Sequence, residues 1–432
     1  MQACQTLDRV VVTFDDDRSV ANAGLLLPAM LAGRLGMGAA ANELIRLGGP
    51  GAANAGDKVL TLVHSMLAGG DCIDDVDVLR AGSTGAVLGH RVAAPSTVGT
   101  FLRSFTFGHI RQADAFSEAM LTAAWAAGAG PDAAPMTIDI DSTIAQVHGY
   151  AKGGASYGYT RVLGYHPLVA TRANTGEVLH TRFRKGSANT GRGAQRFVRE
   201  LIGRVRRAGS TGPLTLRADS GFWSKKVISA CRHHHVAYSI TVSAGHQAIR
   251  TTIAGIDDRA WVPIDYTRNG EAHVAETAYG DGHRLVVRRT RLHHTQRELF
   301  PEWRHHAFIT DRPGTPVELD ADHRAHAVVE LAIRDLKEGA GLNHCPSGRF
   351  FANAAWAVFA TVAHNLTRWT AALGCGVTGP VVAKTFRRRL LTLPGRITQS
   401  ARVQTLHLPA RWPWATQFLE ALDRIKVLPL RC

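Results

Sequence analysis

The sequence predicts an α/β protein: a mixed sheet flanked by helices, preceded by a helical N-terminal domain and followed by a basic, helical C-terminal region. Three observations support this fold class. Apolar residues recur every three or four positions through residues 18–130, which is typical of amphipathic helices. From residue 136 onwards, short apolar runs typical of strands alternate with helical patterns. Residues 341–432 contain twelve Lys or Arg and only two acidic residues.

The composition is that of an ordinary globular protein with room for two or three domains. Of its 432 residues, 45% are hydrophobic and 20% are charged. No apolar run reaches the roughly 18 residues that a membrane helix needs, and residues 1–17 lack the pattern of a signal peptide. The six cysteines are widely spaced and form no CxxC pair, which favours a reducing compartment. We therefore predict a cytoplasmic protein with no membrane partner.

The net charge of +15 at pH 7 predicts a polyanionic partner, because Lys and Arg side chains that contact phosphates release condensed counterions. The excess is greatest in residues 341–432, where twelve basic minus two acidic residues give +10. Arg outnumbers Lys by 42 to 8, which suits bidentate phosphate binding but is also what a GC-rich genome encodes. The clustering therefore indicates nucleic-acid binding more strongly than the Arg content does.

The first domain, predicted at residues 1–130, is mainly helical. Helices are expected at residues 21–35, 57–67, 97–106 and 111–126. Ser96 or Thr97, after Pro95, is a suitable helix cap. Short apolar helices with scattered Arg fit a DNA-binding domain and fit a plain helical bundle equally well. The Gly- and Pro-containing residues 127–135 are predicted to be a linker.

The core is predicted in two parts, residues 131–244 and 306–370, separated by a β-rich insertion at residues 245–305. Strands are expected at residues 136–140, 159–163, 166–171, 178–184, 214–218 and 237–242, and helices at 194–207 and 224–234. Three early strands followed by alternating helices and strands is the order of an RNase H-like sheet. The insertion has strand patterns at 272–278 and 284–291, with turn signals at Asn269-Gly270 and Asp281-Gly282. A helical pattern resumes at about Leu319, and residues 371–432 form the basic C-terminal region.

Two aspartates stand at strand ends. Asp141 ends the apolar run from Met136, and Asp219 ends the run from Leu214 just before Gly221. A carboxylate at such a position projects at the sheet edge, where a metal ion and a phosphate can approach. A strand-end Asp is also common as a helix cap, so each one alone favours the cap.

A stripe of polar residues accompanies Glu330. On an ideal helix the side chains of His323, His326, Glu330, Arg334 and Lys337 fall within about 60° of one face, at 100° per residue. A carboxylate among cationic groups is typical of a metal ligand beside phosphate-binding residues. The alternative is a solvent-exposed Glu330–Arg334 pair of i, i+4 spacing.

These motifs together resemble the DDE transposases of bacterial insertion sequences, in the group with a β-rich insertion between the second Asp and the Glu. The matching segments are Asp141-Ser142-Thr143, residues 217–222, and the helix with His323, His326, Glu330 and Lys337, which is similar to the family's Tyr-x2-Arg-x3-Glu-x6-Lys signature. The resemblance implies that Asp141, Asp219 and Glu330 are catalytic and bind two Mg²⁺ ions, with Mn²⁺ as a substitute. It also implies cleavage of the element's inverted repeats, joining to target DNA, a homodimeric synaptic complex, and a bacterial, nucleoid-associated location.

The expected DNA contacts come partly from the resemblance and partly from charge. The predicted DNA-binding residues are His323, His326, Arg334, Lys337, Trp261, and the basic run Arg387, Arg388 and Arg389. Trp261 either stacks on a flipped base, as in some relatives, or is an ordinary core residue. His323 and His326 replace the family's Tyr and Arg, and a histidine lacks the permanent charge and planar fork of arginine. This difference predicts weaker catalysis.

Two other functions remain open on the sequence. Asp139-x-Asp141-x-Thr143 also fits the DxDxT nucleophile motif of haloacid-dehalogenase-like phosphatases. That fold requires a later Lys and a GDxxxD-like acidic pair, which the strand ending at Asp219 lacks. The second alternative is a decayed relative that binds DNA without cutting it, and it predicts DNA binding that needs no metal.

Overall fold

The structure is a computed structural model that describes residues 10–158, 160–280, 282–292 and 303–431. The predicted turn residue Asp281 lies outside these residues. Within them the chain forms thirteen α-helices: α1 (Leu26–Arg34), α2 (Met37–Leu44), α3 (Ala55–Ala68), α4 (Pro95–Arg103), α5 (Phe107–Ala124), α6 (Ala194–Arg207), α7 (Lys225–His233), α8 (Gln247–Ala254), α9 (Pro316–Arg324), α10 (Val328–Gly339), α11 (Phe350–Trp369), α12 (Ala383–Phe386) and α13 (Ala415–Lys426).

The strands of the described residues form three sheets. In chain order they are β1 (Ser19–Val20), β2 (Met136–Ser142), β3 (Ala145–Gln146), β4 (Ser156–Tyr157), β5 (Leu163–Tyr165), β6 (Leu168–Arg172), β7 (Val178–Arg182), β8 (Leu214–Ala218), β9 (Ala237–Val242), β10 (Val262–Pro263), β11 (Gly270–Tyr279), β12 (His283–Leu292), β13 (Arg304–Thr310), β14 (Gly395–Ser400) and β15 (Val403–His407). The main sheet has nine strands in the order β10-β11-β12-β13-β9-β8-β2-β6-β7. Two three-stranded sheets, β3-β5-β4 and β1-β14-β15, accompany it.

The middle of the main sheet is a mixed arrangement around β2. This strand pairs antiparallel with β6 and parallel with β8, and β8 pairs parallel with β9. Strands covered on both faces are rich in apolar residues, and Leu216, Ala218 and Ile240 are fully buried. Because this signal is local, the predicted strands at 214–218 and 237–242 are confirmed to the residue.

One predicted strand is misplaced. The sequence pattern placed a strand at residues 159–163, whereas the strand is β5 (Leu163–Tyr165) and belongs to the small sheet with β3 and β4. β5 lies too close to β3 for a side chain at Gly164, where a Cβ would be 2.5 Å from the carbonyl oxygen of Ala145. This close approach depends on long-range pairing, which the local pattern does not reveal.

The predicted insertion extends the main sheet. Strands β11 and β12 form a long hairpin, and β13 pairs antiparallel with both β12 and β9. The strands of this segment therefore lie in the same sheet as β2. The segment also contains the short helix α8, which was not predicted and buries only Ile249 and Ile253.

Helix α11 lies at the centre of the hydrophobic core. Every residue of it from Ala352 to Trp369 is buried, as expected for a helix that is apolar on all sides. It contacts α3, α5 and β7. Where α5 and α11 end, Trp125 and Trp369 donate their indole N–H groups to Glu177, at 3.1 and 2.5 Å. The N-terminal helices and the sheet therefore share one core.

The N-terminal helices begin and end differently from the prediction. α4 begins at Pro95 with Ala94 as its N-cap, and no side chain caps it. The predicted cap at Ser96 or Thr97 is wrong, because proline takes the first helical position and moves the helix start forward. The predicted linker begins inside a helical turn, Trp125–Ala129. Within this turn Gly128 departs from the helical conformation, with φ of 105°.

The C-terminal region is not entirely helical. Residues 395–407 form the hairpin β14–β15, so the predicted all-helical C-terminal region is wrong there. The hairpin is completed by β1, in which Val20 pairs with Gly395. A strand partner almost 400 residues away is invisible to a local pattern.

None of the described helices is long and apolar enough to span a membrane by itself. The segments Ala23–Arg34 and Met37–Leu44 meet the requirement of length and composition only together, and they are bent by 55°. Leu27, Leu31 and Met37 of these segments are buried in the core.

Candidate active site

Asp141 and Asp219 lie side by side at the ends of two neighbouring parallel strands. In the register of β2 and β8, Ile140 is opposite Ala218, so the residues that follow them, Asp141 and Asp219, are also opposite each other. Neighbouring strands are about 4.8 Å apart. The structure therefore brings these two predicted residues together at one edge of the sheet.

Each of the two carboxylates is oriented by a backbone N–H. The N–H of Ser142 donates to Asp141 Oδ1 at 2.6 Å, and the N–H of Gly221 donates to Asp219 Oδ1 at 3.1 Å. Asp219 is the N-cap of the short 3-10 turn Ser220–Phe222. The cap interpretation therefore holds for one oxygen of Asp219, whereas helix α7 is capped by Ser224.

Helix α10 brings the third carboxylate to the same place. Glu330, in its first turn, lines an open cavity of about 430 Å³ together with Asp141, Arg334 and Lys337. Lys337 is tied to the segment after β2, because its Nζ donates to the carbonyl oxygen of Ile144 at 2.9 Å. Four of the predicted site residues thus surround one cavity.

The carboxylates of the site repel one another. Burial, together with the nearby charges of Asp219 and Glu330, raises the pKa of Asp141 to about 6, although the backbone N–H of Ser142 opposes the rise. Burial likewise raises the pKa of Asp219, while His326 opposes that rise. Like charges held close together favour a bound cation or a proton.

Asp139, two residues before Asp141, is a structural residue. It is fully buried and forms two bonds with Arg217, Nε to Oδ1 at 2.7 Å and Nη2 to Oδ2 at 2.9 Å. His326 Nδ1 lies 2.9 Å from the same Oδ1. Because Arg217 binds both oxygens of Asp139, this carboxylate is not available as a nucleophile, and the phosphatase alternative is wrong.

His323 is buried, and its predicted role as a DNA contact is wrong. Only 3% of the residue is exposed. Its ring nitrogens lie 2.8 Å from Ser239 Oγ and 2.9 Å from Thr241 Oγ1, and its ring stacks on Phe308 at 4.0 Å. Burial lowers the pKa of His323 to about 2, so the imidazole is neutral.

The predicted single helix through this stripe is broken. α9 ends at Arg324, a 3-10 turn covers Ala325–Ala327, and α10 begins at Val328. A 3-10 turn has three residues per turn, so it changes the direction in which the preceding side chains point. His323 therefore points away from Glu330, into the protein.

The basic run at residues 387–389 divides between the interior and the surface. Arg387 donates to the carbonyl oxygens of Leu67, Met66 and Gly339, the last at 2.5 Å. It joins the ends of α3 and α10 and is partly exposed, and its contact with DNA stays a prediction. Arg388 and Arg389 are exposed, and Arg389 lies 5.5 Å from the ring of Trp414.

Trp261 lines a second open cavity, of about 450 Å³, and is partly exposed. The guanidinium of Arg289 lies 4.3 Å from its ring centroid and 4.5 Å from that of Trp303. His305 approaches Trp261 at 6.1 Å between ring centroids. The contact of Trp261 with a base stays a prediction.

The donor set at Asp141, Asp219 and Glu330 fits a hard divalent cation, because all of its ligands are carboxylate oxygens. In the described part of the chain, the group of three metal-ligand atoms that lie within 4.8 Å of one another is Asp71, Cys72 and Asp75. The three site carboxylates are farther apart than that.

Three residues beside the site were missed from the sequence: His166, Arg184 and Thr190. His166 is 1% exposed, and burial lowers its pKa, whereas the charge of Asp219 opposes that decrease. Thr190 Oγ1 lies 3.1 Å from Ser142 Oγ. The signal for Arg184 and Thr190 is the polar run between β7 and α6, with glycine at positions 186, 191 and 193, which is typical of a loop at a functional strand end.

The chain is similar to known transposases. The family model described as "Transposase DDE domain group 1" matches residues 3–430. No curated protein matches the chain. Among solved structures, the piggyBac transposase synaptic complex with hairpin DNA is 12% identical, with a TM-score of 0.44, covering 86% of this chain and 80% of that chain. This similarity is too low for the two chains to be compared residue by residue.

Proposed function

The chain belongs to the transposase family with a group 1 DDE domain, and we propose that it cuts the ends of its own insertion sequence and joins them to target DNA. The observation that carries the proposal is the meeting of three carboxylates from three separate segments. Asp141 and Asp219 follow neighbouring strands, and Glu330 reaches the same edge from α10. Asp141 and Asp219 are partly buried and Glu330 is exposed, and a purely structural role does not require three acids to approach one another, since their mutual repulsion is destabilising.

Two Mg²⁺ ions are the expected cofactors, which Asp141, Asp219 and Glu330 would hold, with Mn²⁺ as a substitute. The chemistry that such ions supply when bound is activation of the attacking water or 3′-hydroxyl and stabilisation of the leaving 3′-oxygen. The backbone N–H groups of Ser142 and Gly221 orient the two aspartates for this role.

Cationic residues beside the carboxylates are proposed to hold the scissile DNA. Arg334 and Lys337 line the same cavity as Asp141 and Glu330, so a phosphate in this cavity would meet both. Lys337 is anchored to the carbonyl oxygen of Ile144, which fixes its ammonium group near the strand end. Positioning of this kind supplies much of the rate enhancement in phosphoryl transfer.

The remaining elements of the proposal concern partners and location. The net charge of +15 supports binding of double-stranded DNA, both inverted repeats and target. Because a transposition reaction must hold two ends together, the active form is proposed to be a homodimer. The expected location is the bacterial cytoplasm, at the nucleoid.

The test is cleavage of a supercoiled plasmid that carries the DNA ends flanking this gene. Wild type is compared with Asp141→Ala, Asp219→Ala and Glu330→Ala, each with Mg²⁺ and with EDTA. Asp423→Ala, which removes an exposed carboxylate on α13, is the matched control. We expect cleavage by wild type and by the control to require the metal. In each triad variant the rate should fall by about 1,000-fold or more, because each variant removes an expected metal ligand.

One observation favours the alternative of a DNA-binding relative that does not cut. The two histidines that replace the family's Tyr and Arg are engaged inside the protein, His323 with Ser239 and His326 with Asp139. This alternative predicts that wild type binds the ends with or without Mg²⁺ and never nicks them. That result would contradict the transposase proposal.

A further inference from the structure

The loop that follows β7 passes both Asp141 and Asp219. Thr190 Oγ1 lies 3.1 Å from the hydroxyl of Ser142, the residue after Asp141. The same threonine packs against Gly221, where an added Cβ would lie only 2.7 Å from Thr190 Cγ2. One loop residue therefore contacts the immediate neighbours of both carboxylates.

The guanidinium of Arg184 holds this loop in place. Arg184 is 8% exposed. Its Nη1 donates to the carbonyl oxygens of Asn189 and Arg192, both at 2.9 Å, and lies 3.4 Å from that of Thr190. A flat guanidinium presents several donors in fixed directions, so a single side chain fixes the turn on which Thr190 lies.

Arg184 also ties the loop to the segment before β6. Its Nε donates to the carbonyl oxygen of His166 at 2.8 Å, and the N–H of His166 donates to the carbonyl oxygen of Arg184 at 3.1 Å. His166 Nδ1 lies 2.5 Å from the carbonyl oxygen of Ala188, in the same loop. The loop is thus attached at two points to a segment next to the carboxylates.

We propose that Arg184 is a positioning residue that sets the spacing of Asp141 and Asp219 through Thr190, and thereby sets the affinity of the site for divalent metal ions. The inference rests on the proposed function of these carboxylates as metal ligands. Groups that orient metal ligands without touching the metal commonly change metal affinity by about 10–100-fold when they are removed.

The test measures Mn²⁺ binding to the full-length protein by electron paramagnetic resonance, without DNA. Asp219→Asn provides the baseline, so that Mn²⁺ bound at other acidic groups, such as Asp71 and Asp75, is subtracted. Arg184→Lys is expected to raise the Kd of the Asp219-dependent site roughly tenfold or more, because an ammonium group cannot bind the same carbonyl oxygens at once. The Mg²⁺ concentration for half-maximal plasmid cleavage should rise in parallel, and excess Mn²⁺ should restore the rate.

Arg182→Lys is the matched control. Arg182 is the last residue of β7, two residues before Arg184. Its guanidinium pairs with Glu200 on α6 and not with the loop. This control is expected to change the Kd less than twofold. An equal rise in Arg182→Lys and Arg184→Lys would overturn the proposal, since any loss of a guanidinium from this segment would then have the same effect.

A second pair of variants covers the case in which Arg184→Lys does not fold. Thr190→Val removes the hydroxyl that meets Ser142 and keeps the shape of the side chain, whereas Thr190→Ser keeps the hydroxyl. The Kd for Mn²⁺ should rise in Thr190→Val and be nearly normal in Thr190→Ser.

Unchanged affinity in a folded Arg184→Lys or Thr190→Val protein would overturn the inference, as would a wild type with no Asp219-dependent Mn²⁺ binding. If wild type bound Mn²⁺ but never cut DNA, only the proposed function would fail, and the Kd values would still decide the role of Arg184.

Discussion

His323 and His326 are three residues apart, and their surroundings give them different chemistry. His323 lies between two hydroxyls and the face of Phe308, and burial lowers its pKa so that the ring is neutral. His326 is less buried and lies beside the carboxylate of Asp139. Their identity as histidines predicts neither role. The role follows from the partners, which come from β9 and β2 and are distant in the sequence.

The neutral state of His323 predicts a specific loss of stability in acid. Its folded-state pKa, about 2, is far below the ordinary value of 6.5. Its contribution is therefore complete above pH 6.5 and decreases as the pH falls, because the unfolded chain takes up a proton that the folded chain does not. Between pH 6.5 and pH 5 wild type should lose about 2 kcal/mol more than His323→Asn. Urea unfolding at several pH values measures this difference, and the exposed His407→Asn should retain the wild-type slope.

At the scale of elements, strand β2 and helix α10 run alongside each other with matching spacing. Two strand residues span about 6.6 Å, and the four residues from His326 in the 3-10 turn to Glu330 in α10 span about 6–8 Å. Hence His326 contacts Asp139. Glu330, four residues later, approaches Asp141, two residues further along β2. Lys337 then reaches the end of the strand. The structural ion pair and the proposed metal site are successive steps of one contact between a strand and a helix.

This arrangement predicts opposite stability effects for two neighbouring aspartates. Asp139→Ala leaves the buried Arg217 without its main partner and should lower the free energy of unfolding by about 3–5 kcal/mol. Asp141→Asn removes a crowded charge and should raise it by about 1 kcal/mol while abolishing cleavage. Both values are measured by urea unfolding in EDTA. A destabilised Asp141→Asn would show that Asp141 also supports the fold.

The elements that were predictable from the sequence are those whose signal is local. Helix α6 and strands β8 and β9 matched exactly, because their apolar periodicity reflects burial on known faces. The 3-10 turn Ala325–Ala327 was missed, since tertiary contacts of His323 and His326 impose it on a sequence with good helical periodicity. The loop with Arg184 and Thr190 was missed for the same reason, because its importance comes from what it touches.

At the scale of the whole molecule, the positive charge divides between structural and surface roles. Arg217, Arg184 and Arg387 are largely buried and bind carboxylates or carbonyl oxygens of the protein itself. Net charge therefore overstates the number of cations available to DNA. Among the predicted basic run, the surface residues are Arg388 and Arg389.

This division predicts how DNA binding depends on salt. Replacing Arg388 and Arg389 together by Ala should lower the slope of log K against log salt concentration by about 2, as two phosphate contacts are lost. Arg387→Met should leave that slope unchanged and reduce thermal stability instead. Both slopes are measured by fluorescence anisotropy with a labelled duplex at about 50 to 250 mM KCl. An unchanged slope in the double variant would rule out these two residues as phosphate contacts.

The pairing of β1 with β14 also affects how this chain is made. Val20 is paired with Gly395, so the first strand leaves the ribosome long before its partner exists. At roughly 5–20 residues per second, that interval is about 20–75 s. During it the apolar N-terminal helices have no complete core to enter, because α11 is also made late. A nascent chain of this protein should therefore depend on chaperones until translation is nearly finished, and a ribosome stalled before residue 395 should present an unfolded N-terminal region to proteases.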